Sequence, residues 1–349
     1  MKRLIGFLLL SVMVVNGWTE DQSTEPYSEE MVKKAEAGDA KSQCDLALCF
    51  QEGKGVPKDE SKAFMLYTKS AEQGYPLGQK SVGLCLARGI GVAKDEKEAV
   101  KWFIKAANQG NAMAQSNLGT CYATGLGVAK NEQESFNWYL KAANQGNVKA
   151  QCYLSTCYMK GIGVGKDEKE AVKWLIKAAE QGESLAQYNV GSAYASGTGV
   201  KKNDDEAFKW FLKSAEQGNS ASTVYIAQCY MSGVGAVKDG KKAAEWFQKA
   251  AENGDPNGQS GLGLCYLLGR GVAKEEKEAV KWLLKAAEQG NAPAQYNLGT
   301  CYYKGNGVTQ DYNEAVSWFT KAAEQGNEDA KALLLKIKKQ SATNSQQNL

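Results

Sequence analysis

A glycine-ended motif recurs along this chain at a fixed interval of 36 residues. Its form is Ala-[Glu/Asn]-[Gln/Asn]-Gly, and its copies end at Gly74, Gly110, Gly146, Gly182, Gly218, Gly254, Gly290 and Gly326. Tryptophan keeps the same period from Trp102 to Trp318, as do seven of the nine cysteines, from Cys49 to Cys301. Eight units can therefore be written from Asp39 to Gly326 without an insertion. Such register indicates a stacked array of repeats rather than one globular core.

Each unit predicts two helices joined by a glycine turn. In the eighth unit Ala294, Leu298 and Cys301 share one face of a first helix, helix A. Two glycines of the following "KGNGVTQ" permit positive φ and break this helix. Asp311 then begins helix B, with Glu314 at the capping-box spacing. Four residues of helix B are expected to face inward: Ala315, Trp318, Phe319 and Ala322.

The composition excludes most hydrolase designs. The chain contains no histidine, which removes Ser-His and Cys-His nucleophile pairs and histidine-bearing zinc sites. The recurring Gly-x-Gly lacks the closing Gly-Lys-[Ser/Thr] of a phosphate loop, so it is interpreted as a helix-helix turn. We therefore expect no enzyme activity, no metal and no cofactor.

The first 17 residues have the features of a signal peptide. Lys2 and Arg3 precede an apolar run from Leu4 to Val15, and Val15 and Gly17 suit a cleavage site after Gly17. The run is too short to span a bilayer, and an uncleaved N-terminal anchor is the alternative. Residues 18–26 are expected to form a polar linker. Without Lys2 and Arg3 the 42 basic residues become 40 against 39 acidic ones, which gives no electrostatic reason to expect nucleic acid as a partner.

The segment "AQYNLGTCYYKGNGVTQDYNEAVSWFTKAAEQG", Ala294–Gly326, resembles a Sel-1-like repeat, a relative of the tetratricopeptide repeat with a Gly-x-Gly-Val loop. The resemblance implies an all-α fold, a right-handed α/α superhelical solenoid that acts as a protein-interaction scaffold. Eight repeats are then expected at 39–74, 75–110, 111–146, 147–182, 183–218, 219–254, 255–290 and 291–326. Capping helices are expected at 27–38 and 327–339, followed by a disordered tail at 340–349.

The cysteines are predicted to stay as free thiols in the core. Seven occupy one helix A position, where Ala193 replaces cysteine in the fifth unit, so a small apolar residue suffices there. Equivalent positions in successive units should lie too far apart for a disulfide. One exported bacterial branch of the resembled family pairs cysteines within each unit, and β-lactam binding has been proposed for it. This chain lacks that pairing.

A binding surface is predicted on one face of the A helices. Counted from the first residue of each unit, positions 6, 10 and 13 vary most among the eight units and share this face. Family resemblance makes it the concave face. Large contact-prone side chains concentrate on it in units four to eight: Met159, Tyr188, Met231, Leu267, Tyr296 and Tyr303. The other interpretation is that these residues drift on a neutral surface or pack laterally.

The functional expectation is an exported, non-enzymatic repeat scaffold, periplasmic or secreted, that binds a protein or peptide. After removal of the signal peptide no membrane insertion is expected, since no other segment is long and apolar enough. Exported bacterial members of the family often serve as adaptors in signalling, envelope or host-contact complexes. The alternatives are an enzyme that binds or hydrolyses β-lactams and an adaptor for degradation in the lumen of the endoplasmic reticulum.

Overall fold

The computed structural model describes residues 26–347, and the side chains of residues 26–337. All regular structure in this part of the chain is helical. The predicted signal peptide and all of the predicted linker except Pro26 lie outside the described residues. Eighteen helices fill the described chain: α1 Glu29–Glu36, α2 Ala40–Glu52, α3 Glu60–Glu72, α4 Pro76–Arg88, α5 Glu96–Asn108, α6 Ala112–Thr124, α7 Glu132–Asn144, α8 Val148–Lys160, α9 Glu168–Glu180, α10 Ser184–Ser196, α11 Asp204–Glu216, α12 Ser220–Ser232, α13 Gly240–Glu252, α14 Pro256–Leu268, α15 Glu276–Glu288, α16 Ala292–Lys304, α17 Tyr312–Glu324 and α18 Glu328–Gln347.

The helices α2 to α17 alternate as helix A and helix B of eight repeats, each helix 13 residues long. The predicted α/α solenoid is thereby confirmed. The described chain divides into two compact units. The first unit runs as far as Ala186 and includes Thr198–Val200, and the second contains Gln187–Gly197 and the chain from Lys201 onward.

Only one of the two hydrogen bonds of the predicted capping box forms. In α5 the Asp95 side chain accepts a hydrogen bond from the Glu98 backbone N–H at 2.9 Å, as the spacing predicted. The reciprocal bond is replaced, because the Asp95 N–H donates to the Leu86 carbonyl of helix A at 2.9 Å. The Glu98 carboxylate instead pairs with Lys101 at 2.7 Å. The cap therefore ties helix B to its own helix A.

The glycine turns are used for packing between repeats. In the third repeat Gly125 and Gly127 have φ of +80° and +68°, and the Gly125 N–H closes α6 on the Cys121 carbonyl. A side chain at Gly127 would collide with the Glu96 carbonyl of the preceding repeat. The same contact recurs in the first unit and in the second. This close approach explains why the second glycine is present in every repeat.

The hydrophobic core lies where helix A meets helix B. The largest fully buried side chains include Phe103, Phe211, Phe319, Leu118 and Leu298. Glycines of helix A receive the helix B rings, as Gly119 does for Tyr139. The tryptophans are less central than predicted: Trp318 is buried at 9% exposure, but five of the seven in this series are only half-buried.

Each of these tryptophans is covered by the lysine three residues further along helix B. The distance from the lysine Nζ to the ring centroid is 3.7 Å at Trp174 and 4.3 Å at Trp210, and the other five pairs fall between. Residues i and i+3 are neighbours on a helix, so the spacing places the ammonium over the indole face. Tryptophan here stabilises the outer surface of helix B.

A glutamine pair links helix A, helix B and the preceding repeat. In repeat three the Gln115 Nε2 donates to the Ala107 carbonyl at 3.1 Å, and its Oε1 accepts from the Gln145 Nε2 at 2.7 Å. The glutamine–glutamine bond recurs in seven repeats, at 2.7–2.8 Å. Repeat six carries Thr223 and Asn253 instead. This set of bonds is called the glutamine ladder below.

Of the two terminal helices, the C-terminal one runs further than predicted. Helix α1 begins after Ser28, whose Oγ accepts from the Met31 N–H at 3.2 Å. Helix α18 does not end at Lys339 but continues to Gln347, because no glycine or proline interrupts it. The predicted disordered tail is therefore wrong as far as Gln347. Leu335 of α18 is 62% exposed and stands where internal A helices have Gly, Ala or Ser. Nowhere in residues 26–347 is a helix both long and apolar enough for a membrane span.

Candidate binding surface

The predicted binding residues are more deeply packed than the sequence suggested. Met159, in the first unit, is only 8% exposed, and the five in the second unit are half-buried. This face therefore takes part in the packing of the repeats and is also partly open to solvent.

Two of the tyrosines lie directly on core phenylalanines. The Tyr188 ring packs edge-on to Phe211, with centroids 5.5 Å apart, and the Tyr296 ring lies 5.8 Å from Phe319. In both cases position 6 of helix A meets the buried ring of helix B in the same repeat. These tyrosines belong partly to the core, and only part of each ring is open to a ligand.

Tyr303 belongs to a surface aromatic pair. Its ring lies edge-on to Tyr312, with centroids 5.4 Å apart, and Tyr312 is 55% exposed. The Gln310 Nε2 donates to both the Tyr303 carbonyl, at 2.8 Å, and the Tyr312 hydroxyl, at 3.0 Å. Position 22, which Tyr312 occupies, is acidic in six other repeats, and that departure was the available sequence signal for this missed residue.

Position 13 gives a row of large side chains in the second unit. Met231, Leu267 and Tyr303 occupy it in repeats six, seven and eight, and all three are half-buried. We call these three residues the position-13 row. Leu268, beside this row, is 51% exposed at a position that is polar in the other seven repeats. The surface is mainly uncharged, apolar and only partly covered by its own fold.

The cysteine thiols have no reactive setting. All nine cysteines are free and buried. Burial raises the pKa of the Cys121 and Cys229 thiols to about 12, and that of Cys301 to about 11. A thiol must ionise to act as a nucleophile or a metal ligand, so these sulfurs are inert near neutral pH. Among the residues that the structure describes, no group of three Cys, Asp or Glu side chains could hold a metal ion.

Comparisons with known proteins agree with the repeat assignment. The family model "Sel1 repeat" matches residues 40–75, 76–111, 112–147, 148–183, 184–219, 220–255, 256–291 and 292–327, one residue later than the predicted bounds. The crystal structure of c5321, described as a protective antigen of uropathogenic Escherichia coli with an SLR fold, matches with a TM-score of 0.84 and 38% identity. That match covers 88% of this chain and 66% of c5321, so the chain spans just under two thirds of that relative.

A second solved structure is a Sel1 repeat protein from Oxalobacter formigenes. It matches with a TM-score of 0.62 and 34% identity, over 88% of this chain and 89% of that one. Among curated proteins, none matches this chain.

Proposed function

Because the chain belongs to the Sel1 repeat family, whose members generally bind proteins, we propose that it is a non-catalytic scaffold that binds a protein or peptide on the A-helix face of its second unit. One observation carries the choice of surface. The position-13 row presents three large, half-buried side chains in consecutive repeats, at a position filled by alanine in repeats two, three and five.

The residue types on this surface are those typical of protein–protein interfaces. Aromatic residues and methionine are enriched at interface centres, and charged residues other than arginine are depleted there. Tyr296 and Tyr303 are already held by neighbouring rings, at Phe319 and Tyr312. Side chains that are ordered before binding lose little conformational freedom on binding, which favours affinity. The predicted tyrosines thus remain candidate anchors, although their packing was misjudged.

The test begins with a photo-crosslinking residue placed at Leu267, with a matched one at Met65. Met65 is 59% exposed and lies on helix B in the first unit, so it controls for non-specific capture. A partner captured at position 267 and not at position 65 would then be purified and its affinity measured.

The purified partner should lose affinity for a chain with Met231, Leu267 and Tyr303 changed to alanine. We expect at least a tenfold loss, or about 1.4 kcal/mol, since buried anchors dominate interface energy. Alanine stands at this position in Ala87, Ala123 and Ala195, so the variant should fold. If the variant folds and its affinity is unchanged, the partner binds to another surface.

The scaffold proposal includes the absence of β-lactam hydrolysis. The raised thiol pKa values and the lack of histidine support this part of it. Turnover of nitrocefin by the purified chain, above the rate in buffer alone, would contradict it.

An exported location completes the proposal. It rests on the signal-peptide features of residues 1–17, and the description of c5321 as a protective antigen supports it. The specific role would be that of an adaptor in an envelope or host-contact complex. Cell fractionation tests the location: a mature N-terminus at Trp18 in the periplasm or medium is expected, and an uncleaved cytoplasmic chain would contradict it.

A further inference from the structure

A second surface of the second unit lies on the loop edge of repeats six and seven. Three of the seven large hydrophobic residues that are exposed in the described chain occur here: Val234 at 45%, Val237 at 88% and Leu268 at 51% exposure. The fold does not need Val237, because its equivalents in the other repeats are proline, alanine, glycine, lysine and threonine. An exposed aliphatic cluster at this density marks a contact surface more often than scattered apolar residues do.

The same edge carries four exposed cations without an ion pair among the described residues. They are Lys238, Lys241, Lys242 and Arg270, and of these Lys242 lies over the Tyr230 ring, with its Nζ 5.4 Å from the centroid. In six other repeats the lysine at position 20 pairs with an acidic residue two places on, as Lys274 does with Glu276 at 2.8 Å. Repeat six has Gly240 at that acidic position, and Lys238 loses its partner.

The loops of repeats six and seven meet at the start of α13. The backbone of Arg270 and Gly271 packs directly on Gly240 and Lys241, at the start of α13. Leu268 ends α14 two residues before Arg270, while Val234 and Val237 lie in the loop that leads to Lys238. In the first unit the equivalent junction of repeats two and three forms an open groove of about 640 Å³, where Lys94 is paired with Glu96.

Asp239 and Glu245, the acids nearest to these lysines along the chain, make no ion pair with them in the described structure. The Asp239 carboxylate is used as the cap of α13, where it accepts the Lys242 backbone N–H at 3.0 Å. Glu245 lies one turn further along α13 and makes no ion pair with the four cations. The first turn of α13 contains no acidic residue, unlike that of α15, so the positive end of the helix dipole adds to the lysines.

From this juxtaposition of exposed aliphatics and cations without a carboxylate partner, we propose that the loop edge of repeats six and seven docks an acidic protein segment that carries aliphatic side chains. Acidic groups would meet the lysines and Arg270, and an aliphatic side chain would cover Val237. Because the edge is positively charged, a negatively charged partner is favoured. A protein fits better than an anionic membrane, because the edge offers two valines and one leucine but none of the exposed Trp or Phe typical of interfacial anchors.

The test uses the full chain and a short fluorescein-labelled peptide of Glu, Asp, Leu and Val, with binding followed by anisotropy. A peptide with Lys in place of Glu and Asp, and one with Ser in place of Leu and Val, serve as controls. We expect binding of the acidic aliphatic peptide only, and weaker binding as salt rises. Equal binding of the three peptides, or no binding of the first, overturns the proposal.

The decisive variant combines Val237→Ala, Gly240→Glu and Lys242→Glu. It rebuilds in repeat six the residues that repeats two and seven carry at these positions, so it should fold, as judged by circular dichroism. The control, Lys97→Glu with Lys169→Gln, changes the net charge by the same −3 at exposed lysines elsewhere. We expect at least a tenfold loss of affinity in the first variant and less than a twofold change in the control. If both variants lost affinity equally, the effect would come from the net charge of the protein and not from this edge, and the proposed site would be overturned.

Two further outcomes are decided by the same materials. If the repeat-six variant fails to fold, Val237→Ser with Lys238→Gln replaces it, and retention of affinity in that variant overturns the proposal. Vesicles of phosphatidylcholine with phosphatidylglycerol test the membrane alternative by co-sedimentation. Sedimentation of the unaltered chain but not of the repeat-six variant, without peptide binding, would assign the edge to lipid instead. Because these readouts do not involve the position-13 row, they stand or fall separately from the proposed function.

Discussion

At the scale of single residues, buried polar side chains do much to define the repeat. Gln115 is 6% exposed, yet both ends of its amide are used, by the Ala107 carbonyl and by Gln145. A buried polar group stabilises only when it is paired, and its loss leaves partners without a hydrogen bond. The fold therefore depends on a residue that a hydrophobicity scale would place on the surface.

Gln115→Leu should lower the free energy of unfolding by about 2 kcal/mol, since it leaves the buried Ala107 carbonyl without its donor and Gln145 without its acceptor. Urea unfolding followed by circular dichroism measures this. Gln133→Leu is the control, because Gln133 is exposed and bonds only to Asn137, at 3.3 Å. A loss of similar size in the control would show that the effect does not come from the buried bonds.

The thiol of Cys121 links stability to alkaline pH. Burial raises its pKa from 9.0 to about 12, so the folded thiol stays protonated where the unfolded one ionises. The contribution is fully present below pH 9 and is lost as pH rises from 9 towards 12. At pH 10 this one group should cost about 1.4 kcal/mol.

Cys121→Ala removes that pH-dependent term. Ala193 occupies the same position in repeat five, so the variant should fold and lose only about 1 kcal/mol at pH 7. Its further loss between pH 7 and pH 10 should be smaller than that of the unaltered chain, as measured by urea unfolding at both values. Parallel losses in the two proteins would contradict the assigned thiol.

At the scale of the helix-turn-helix element, position rather than φ decides what a glycine contributes. Gly127 and Gly146 both have positive φ, +68° and +86°. A side chain at Gly127 would meet the Glu96 carbonyl, whereas a side chain at Gly146 would meet nothing within 4 Å. A side chain would therefore strain the backbone at both positions, but only at Gly127 would it also collide with the preceding repeat.

Gly146→Ala should therefore cost about 1–2 kcal/mol, the strain of a left-handed conformation. Gly127→Ala should cost well over twice as much, because the turn must also move away from its neighbour. Thermal and urea unfolding of the two variants give the comparison. Equal losses would indicate that the loop contact contributes little.

At the scale of the whole molecule, the glutamine ladder is uniform except at repeat six. Within the second unit it is present at Gln187, Gln259 and Gln295. In repeat six the Thr223 Oγ1 donates instead to the Asn219 carbonyl of its own helix, at 2.9 Å. The junction between repeats five and six therefore lacks a bond that other junctions have. Stability in a repeat array is a sum of such neighbour terms, so this junction should open first.

Thr223→Gln with Asn253→Gln should restore the ladder. We expect amide hydrogen exchange in α12 to slow by about five- to tenfold, which corresponds to about 1–1.4 kcal/mol. The converse pair, Gln259→Thr with Gln289→Asn, should speed exchange in α14. If neither pair changes exchange in its own repeat, the ladder is not a source of neighbour stability.

Local and periodic features could be predicted from the sequence. The 36-residue period gave the number of repeats, and Asp95 and Asp311 marked where helices begin. Both signals act within a few residues along the chain. The glutamine ladder was equally periodic, but its members are 30 residues apart, and only the packed structure shows that they meet.

The binding surface was predicted less well because packing between neighbouring elements is not local. Variation at position 6 suggested that its side chains are free of packing, whereas the Tyr188 ring packs on the buried Phe211. Leu268, Tyr312 and Val237 were missed, although Leu268 is the single apolar residue at its position, Tyr312 the single aromatic one and Val237 the single large aliphatic one. A comparison of the repeats for exceptions, rather than for variability, would have found them.

Leu335 has a consequence for how such a chain changes in evolution. A further helix B would need a small residue at this point of α18, as Gly299 allows Phe319, and leucine blocks it. A copy of the gene segment added after α18 would have no surface on which to fold, while a copy duplicated between α1 and α18 would find matching neighbours on both sides. Related genes should therefore differ in length by whole multiples of 36 codons gained or lost internally, with the same closing segment retained.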